Sequence, residues 1–354
     1  MQNNKVLLIS IQPLPFIDKD IEILERNGFR VNCFYSGPEK GLRFFINHTR
    51  LLFWLLMNIR GASAVVIWFV DYHALLPAIF GKIFGKKVIE VIAGFDAVSI
   101  PVIKFGIFFK NNARAWIARK SYQLADNILP VHDSLKKGTN YYADPSGTGY
   151  KIGVLNFVKN VKAQFLTLPF IYDTNFWRHY DEEPQSKAVI TTATVGDMRT
   201  AQRKGLDLLF EVAQEMPEIT FSVIGVKDSI YDSLRADAPA NVELIRYIPQ
   251  HEMPKKLSRH KVYTQLSLSE GLPNALGEAM LCECIPVGSD VNGIPDTIGD
   301  AGFILKENSR KKAIELIRKA LDSDPLLGKK ARERILKNYP SDSREKRFIA
   351  LLKE

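Results

Sequence analysis

This 354-residue chain predicts an α/β fold built twice, as two doubly wound parallel-sheet domains. Three observations carry that prediction. The length exceeds what one ordinary hydrophobic core organises, and two domains of common size fit it. Short apolar runs without polar alternation, the mark of strands buried on both faces, recur between helical patterns. A polar, acidic stretch, Tyr172 to Lys187 (YDTNFWRHYDEEPQSK), divides one such series from another.

The first domain is expected over residues 1–170. Lys5–Ser10 reads as a buried strand and Asp18–Asn27 as a helix, acidic early and followed by Gly28. Strands follow at Val31–Tyr35, Ala64–Phe69, Lys87–Ile92 and Asn127–Pro130, with helical patterns between them. Two segments depart from an ordinary surface helix. Leu42–Ile59 is apolar nearly all round, with Arg43, Asn47 and Arg50 on one polar line. Pro101–Lys120 mixes Phe105, Ile107, Phe108, Phe109 and Trp116 with Lys104, Lys110, Arg114, Arg119 and Lys120. Such segments either cover a sheet or lie in a membrane interface.

Residues 171–187 are expected as the linker and 188–338 as the second domain. Its strands are Ala188–Val195, Ile219–Ile224, Val242–Ile245 and Val262–Leu268, with helices at Leu206–Glu215 and Met253–His260. Residues 309–337 read as helical and basic. Pro340 breaks them, and Ser341–Lys353 forms a last helix within 339–354 that is expected to pack back on the first domain. No repeat of 20–50 residues is visible.

Composition narrows the function classes. Of the 48 Lys/Arg and 39 Asp/Glu, residues 1–170 hold 21 and 11, and the remainder 27 and 28. The whole excess of positive charge therefore belongs to the first half, which implies an anionic partner there. No nucleic-acid module is recognisable. The longest apolar run, Leu51–Met57, is too short to span a bilayer, and Val6–Ile11 is too short for a signal segment. Those features make the cytoplasm the expected compartment, and three cysteines suit reducing conditions. Cys282 and Cys284, two apart on an expected helix, diverge and suit core packing rather than a metal.

The densest chemistry lies in Ser269–Asp296, SEGLPNALGEAMLCECIPVGSDVNGIPD. It begins where a strand runs out, and Pro273 and Asn274 start a helix. Glu270 falls at the strand's carboxyl end and Glu278 about one turn into the helix. In open α/β sheets, ligands bind in that crevice, and a helix N-terminus offers backbone N–H groups to phosphate. Carboxylates beside a phosphate site suit ligand hydroxyls, and hydroxyls beside phosphates describe a sugar nucleotide. A second loop, Val195–Leu206 (VGDMRTAQRKGL), carries Gly196, Arg199, Arg203 and Lys204 to a strand–helix junction opened by Gly205. Arginine forks two phosphate oxygens and lysine adds a point charge, which suits a diphosphate.

The pattern Ser-Glu-Gly-Leu-Pro-Asn-Ala-Leu-Gly-Glu-Ala-Met, then Ile-Pro-Val and Asn-Gly-Ile-Pro-Asp, resembles the E-x7-E signature of glycosyltransferase family 4. Val195-Gly196 with Arg203-Lys204-Gly205 resembles its diphosphate loop, Ala125-Asp126 with Val131 its "aD-x-ii-x-vS" element, and Leu168-Pro169 to Phe176 the segment before its linker. Gly94-Phe95-Asp96 resembles its G-x-D. The resemblance implies the GT-B fold, two Rossmann-like domains facing across a cleft. It implies a retaining transfer from a nucleotide-sugar donor to a glycan acceptor, with no metal or other cofactor. In that frame Glu278 holds the ribose hydroxyls and Glu270 sits by the donor sugar. Backbone groups of Pro273, Asn274, Ala275 and Leu276 help bind sugar and phosphate. Lys204 with Arg199 or Arg203 neutralises the diphosphate, and Asp96 acts from the first domain.

Three places depart from the family pattern. Ala93 stands where many members have His, with His73 and His132 as candidate replacements. Gln12-Pro-Leu-Pro-Phe16 replaces a glycine-rich loop, and Asp197 replaces an Arg. A nucleotide-sugar epimerase and a non-catalytic assembly module at the membrane are the rival functions on the same fold. A lipid-linked acceptor at an anionic membrane, as in surface-polysaccharide synthesis on the cytoplasmic face, joins the charged first domain to the transferase reading.

Overall fold

A computed structural model describes residues 4–37, 41–180 and 184–354. The chain divides into two compact units: Met1–Thr139 with Lys151–Phe170 and Asp342–Glu354, and Asn140–Tyr150 with Ile171–Ser341.

The first unit runs β1 (Lys5–Ser10), α1 (Pro15–Arg26), β2 (Arg30–Tyr35), α2 (Leu42–Asn58), β3 (Ala64–Trp68), α3 (Leu75–Ile83), β4 (Lys87–Ile92), α4 (Ala113–Leu124) and β5 (Asn127–Pro130). Short strands β6 (Gly138–Asn140) and β7 (Tyr150–Ile152) follow, then β8 (Gln164–Phe165). Six strands form one parallel sheet in the order β2-β1-β3-β4-β5-β8. Val6–Ile9 and Val65–Trp68 are fully buried, as strands covered on both faces must be. Pro101–Lys120 is not one helix. Lys104 takes a left-handed conformation after a single turn, and α4 starts only where Asn112 Oδ1 caps the Ala115 N–H at 3.1 Å.

The second unit runs β9 (Gln185–Val195), α5 (Met198–Arg203), α6 (Leu206–Gln214), β10 (Thr220–Val226), α7 (Asp228–Asp237), β11 (Val242–Ile245), α8 (Met253–Ser258) and β12 (His260–Gln265). It continues with α9 (Asn274–Leu281), β13 (Ile285–Ser289), α10 (Ile294–Ile298), β14 (Phe303–Leu305), α11 (Arg310–Asp322) and α12 (Leu326–Asn338). Its sheet is parallel too, ordered β11-β10-β9-β12-β13-β14. The expected basic helix over 309–337 is two helices, because Pro325 cannot continue the first. Cys282 and Cys284 lie in the turn after α9 rather than on a helix, and both are buried.

The observed units differ from the expected boundaries. Of the expected linker, residues 171–180 are integrated into the second unit, with Trp177 4% exposed, and 181–183 lie outside the described residues. Residues 140–150 also group with the second unit.

The last helix, α13 (Ser343–Lys353), belongs to the first unit. Arg344 reaches the fully buried Asp20 of α1 through Nε at 2.6 Å and Nη2 at 2.8 Å, and donates to the Leu168 carbonyl at 2.6 Å. Trp68 Nε1 donates to Asp20 Oδ2 at 3.1 Å. The buried charges are thus paired and hydrogen-bonded, the condition under which such a pair survives desolvation.

Candidate functional site

In the second unit, three backbone loops meet at the carboxyl edge of the sheet. The first joins β9 to α6. Asp197, at the position where the family pattern carries Arg, caps α5: its Oδ1 accepts the Thr200 N–H at 2.9 Å. That N–H holds the Asp197 carboxyl below its ordinary range. Gly205 then turns the chain into α6 at φ +71°, where a Cβ would stand 2.1 Å from the Leu266 carbonyl oxygen. No other residue type allows that approach to the end of β12. The Leu268 N–H donates to the Arg203 carbonyl at 2.8 Å and stitches the two loops together.

This stitch places Arg203 and Lys204 on Glu270. Lys204 Nζ lies 2.6 Å and Arg203 Nη1 3.6 Å from Glu270 Oε1, and Arg203 also donates to the Ser269 carbonyl at 3.1 Å. Ser267 Oγ and Gln265 Nε2 donate to the same oxygen at 2.8 and 3.3 Å. Burial works to raise the Glu270 carboxyl, but the Lys204 and Arg203 charges and these hydrogen bonds outweigh it and hold it below the ordinary value. Burial lowers the Lys204 ammonium in turn, with Glu270 opposing. Two cations against one carboxylate leave the cluster net positive, which suits a diphosphate. Arg199 is not part of it. Its side chain is exposed on α5, where its charge bears on Asp197.

The third loop follows β13. Asn292 Oδ1 accepts the Glu270 N–H at 3.3 Å, and the Gly293 N–H donates to the Gly271 carbonyl at 3.0 Å. Pro273 occupies the N-cap position of α9 and offers no side-chain cap, so the first-turn N–H groups at Asn274, Ala275 and Leu276 are a ready anion site. Two buried side-chain oxygens between the end of β12 and the first residue of α9, Ser269 Oγ and Asn274 Oδ1, have no hydrogen-bond partner among the described residues. Glu278 is half-buried one turn into α9. It acts with Glu270 on one hydroxyl, that of Tyr263, which burial pushes upward against the opposing Thr192 hydrogen bonds, the two carboxylates adding to the rise. Gly196, at the end of β9, is half-buried, and its carbonyl accepts from Ser229 Oγ at 2.9 Å.

Several contributing residues were missed by sequence reasoning. Tyr263 and Gln265 share one face of β12, and Ser267 continues their every-second-residue spacing just beyond its end. Their polar groups form a relay: Thr192 Oγ1 to Tyr263 Oη at 3.0 Å, Tyr263 Oη to Gln265 Oε1 at 3.0 Å, Gln265 Nε2 to Ser267 Oγ at 2.8 Å, and on to Glu270. Polar residues at alternate positions of an otherwise buried strand were the available signal. Asn140 was also missed. It is 2% exposed and donates to the Leu268 carbonyl at 2.8 Å.

In the first unit, Asp96 is turned inward onto the backbone. It is 1% exposed and accepts from the N–H groups of Gly94 at 3.0 Å, Ala93 at 3.2 Å and Val70 at 3.3 Å. Burial nonetheless pushes its carboxyl up to about 6. The G-x-D pattern here organises the loop after β4. His132 pairs Nδ1 with Ser134, and His73 is buried against the Trp68 carbonyl at 3.1 Å. Among the described residues no group of three or more His, Cys, Asp or Glu could hold a metal ion. The sequence holds two Asp-x-Asp triplets, Asp18-Lys19-Asp20 and Asp322-Ser323-Asp324; in them Asp20 is engaged by Arg344, and Asp324 Oδ1 accepts the Leu326 N–H at 2.8 Å.

Comparison with known proteins bears on the fold and on the second unit's sequence. Residues 183–341 match the model of the family described as Glycosyl transferases group 1. One component of the phosphatidylinositol N-acetylglucosaminyltransferase of Arabidopsis thaliana is 27% identical over 173 residues, 47% of this chain. The aligned region spans only 38% of that relative's length. Sucrose-phosphate synthase from Thermosynechococcus elongatus superposes with a TM-score of 0.73 at 14% identity, over 99% of this chain and 98% of its own. Anabaena HepE, solved with UDP and glucose, superposes with a TM-score of 0.70 at 11% identity, over 99% of each chain. TarM of S. aureus, solved with UDP among its ligands, gives 0.61 at 17% identity, over 87% of this chain and 59% of its own. The fold is GT-B: two Rossmann-like parallel-sheet units.

Proposed function

We propose that this protein is a retaining, metal-independent hexosyltransferase of glycosyltransferase family 4. It moves a sugar from a nucleotide-sugar donor to a hydroxyl of a glycan acceptor, lipid-linked and destined for surface polysaccharide, at the cytoplasmic face of a membrane. The observation that carries the reading is the gathering of Lys204, Arg203 and Glu270 beside the open N-terminus of α9. The group 1 match over 183–341 and the sugar nucleotides bound by structural neighbours such as HepE support it.

The chemistry follows from charge. The anomeric carbon–oxygen bond to the donor phosphate breaks, the electron pair leaves with the phosphate, and an oxocarbenium-like centre forms. Lys204, Arg203 and the α9 N–H groups stabilise the charge growing on the leaving diphosphate. The acceptor hydroxyl attacks on the same face, and its proton passes to a leaving-phosphate oxygen. Glu278 accepts the ribose hydroxyls. Glu270, tied to Lys204 through Oε1, stands at the donor sugar.

Membrane attachment is part of the proposal and rests on α2. Leu42, Phe45, Ile46, Phe53, Leu56 and Met57 are exposed, whereas Leu51 and Leu55 on the opposite face are buried. At about 3.6 residues per turn the exposed set forms one stripe, edged by the exposed Arg43 and Arg50. No helix among the described residues is long and apolar enough to cross a membrane.

A scan of UDP-, GDP- and ADP-sugars for hydrolysis, with and without a polyprenyl-diphosphate-linked sugar, tests the activity. One donor is expected to be turned over, faster with acceptor, and unchanged in EDTA. Interconversion of the donor's sugar without transfer would make the protein an epimerase. Binding of nucleotide sugars without turnover would make it an assembly module.

A further inference from the structure

The second unit keeps polar side chains inside its sheet. β12 lies between β9 and β13, and a parallel strand in that position is expected to be apolar on both faces. Yet Tyr263 is fully buried, Gln265 is 2% exposed, and Ser267, just past the strand, is fully buried. Burying an amide or a hydroxyl costs free energy unless it is hydrogen-bonded, so these residues stand against the tendency of the fold.

Their hydrogen bonds have one direction. A carboxylate only accepts, so the Gln265 atom 3.3 Å from Glu270 Oε1 is the amide nitrogen. Its other N–H goes to Ser267 Oγ at 2.8 Å, and Ser267 spends its own hydrogen on Glu270 Oε1 at 2.8 Å. The amide oxygen then faces Tyr263, whose hydroxyl donates to it at 3.0 Å and accepts from Thr192 Oγ1 at 3.0 Å. Were the amide turned end for end, its oxygen would face the carboxylate and two acceptors would meet.

The chain of donors ends on a single atom. Among the described residues every hydrogen bond and ion pair of the Glu270 carboxylate falls on Oε1, and none on Oε2. Two of the four groups on Oε1 are the cations Lys204 and Arg203. A bound diphosphate would draw both toward its own oxygens. Ser267 and Gln265 are neutral and buried, and have no phosphate to follow. They are the groups that still hold Oε1 once the cations turn.

We infer that Gln265, its amide oriented by Tyr263, is a positioning residue: with Ser267 it pins Glu270 Oε1 and so keeps Oε2 turned to the ligand. What Oε2 meets rests on the transferase reading above. How the carboxylate is held does not.

Two variants test it on the full chain. Gln265→Leu removes the amide at similar volume, and Tyr263→Phe removes only the hydroxyl; circular dichroism checks that each is folded. The probe is the nucleotide sugar that the wild type turns over among UDP-, GDP- and ADP-sugars. Its kcat should fall tenfold or more in Gln265→Leu and by a smaller factor in Tyr263→Phe. Affinity for the matching nucleoside diphosphate, which carries no sugar, should stay within twofold of wild type. Gln265→Glu adds a pH readout. Ionised, it repels Glu270; protonated, its O–H donates as the amide does. Its turnover relative to wild type should therefore recover between pH 8 and pH 5.5. Crystal structures of wild type and Gln265→Leu with UDP, GDP or ADP read the positioning without any turnover: Glu270 should keep one rotamer in the first and leave it in the second. Full turnover in either folded variant, an equal loss of nucleoside-diphosphate affinity, a pH-independent deficit in Gln265→Glu, or an unmoved Glu270 in the variant crystal would overturn the inference. A displaced Glu270 in a chain that turns over no nucleotide sugar would keep Gln265 as a positioning residue and remove the transferase reading.

Discussion

At the residue scale the transferase reading depends on side chains whose loss has separable effects. Glu278→Gln keeps size and removes charge. A hydrogen bond to a charged group contributes about 1.5–3 kcal/mol, so donor affinity should fall about tenfold or more while the thermal midpoint stays near wild type. Unchanged donor affinity in calorimetry would return Glu278 to a structural role. Lys204→Ala should cost the chemical step at least as much as binding, about 10²-fold in kcat, because charge grows on the leaving group. Arg203→Ala should follow it and Arg199→Ala should not, since Arg203 reaches Glu270 and Ser269 while Arg199 is exposed on α5. Equal turnover in Lys204→Ala and wild type would sink this assignment. Glu270, Lys204 and Arg203 were legible in the sequence because strand-end loops carry ligand chemistry in this fold class. Asn140 was not, because it meets Leu268 across 128 residues of chain and no local pattern announces the contact. Asp96 shows the opposite case. A carboxylate after a strand and a glycine looks like a site, but three backbone N–H groups take it inward.

At the scale of the element, strands were more legible than the segments between β4 and β5. A buried parallel strand announces itself by continuous apolar sequence, and the expected strands at Lys5–Ser10 and Lys87–Ile92 are found with the same ends. The Pro101–Lys120 segment is a turn, a loop and α4, and two of its aromatics pack against rings of the same unit. Phe105 meets Phe95 at 5.2 Å and Phe108 stacks on Phe157 at 4.6 Å. Phe108 therefore does not face a membrane, nor does Trp54, which is half-buried against Phe34. Arg114 is engaged by Asp71. The interfacial argument moves to the outward stripe of α2. An anionic leaflet attracts each nearby basic residue by about 1 kcal/mol. Co-sedimentation should occur with anionic but not neutral vesicles and fall with salt. It should drop when Arg43, Arg50, Lys104 and Lys110 become Gln together, and when Phe53 and Met57 become Ser. Absence of pelleting with anionic vesicles at low salt would remove the membrane claim and leave the transferase claim standing.

At the scale of the whole molecule, the doubled α/β architecture was legible from repeated strand and helix patterns, but the composition of the units was not. Residues 140–150 and 342–354 each join the unit that their immediate chain neighbours do not, a matter of long-range packing that local propensity does not carry. One further global property follows from burial alone. Glu90 lies fully buried in the middle of β4, with Ser121 Oγ donating to one oxygen and no hydrogen-bond partner for the other among the described residues. Burial pushes its carboxyl up to about 8, and Asp96 adds to the rise. Asp96 is itself pushed up to about 6, chiefly by its own burial. An acid whose folded value is raised holds more protons folded than unfolded between the two values. Stability therefore falls as pH climbs from the unfolded value of about 4.5 toward 8, and levels beyond. Below that window both states are protonated and the cost vanishes. Glu90→Gln keeps the shape and an acceptor for Ser121 without a charge to bury. Thermal unfolding at pH 5, 7 and 9 should show the variant close to wild type at pH 5. Its advantage should grow through pH 7 to an order of several kcal/mol at pH 9, in the transition of the first unit. A constant difference across the three pH values would show that Glu90 does not titrate in the window and that its charge is compensated in the folded chain.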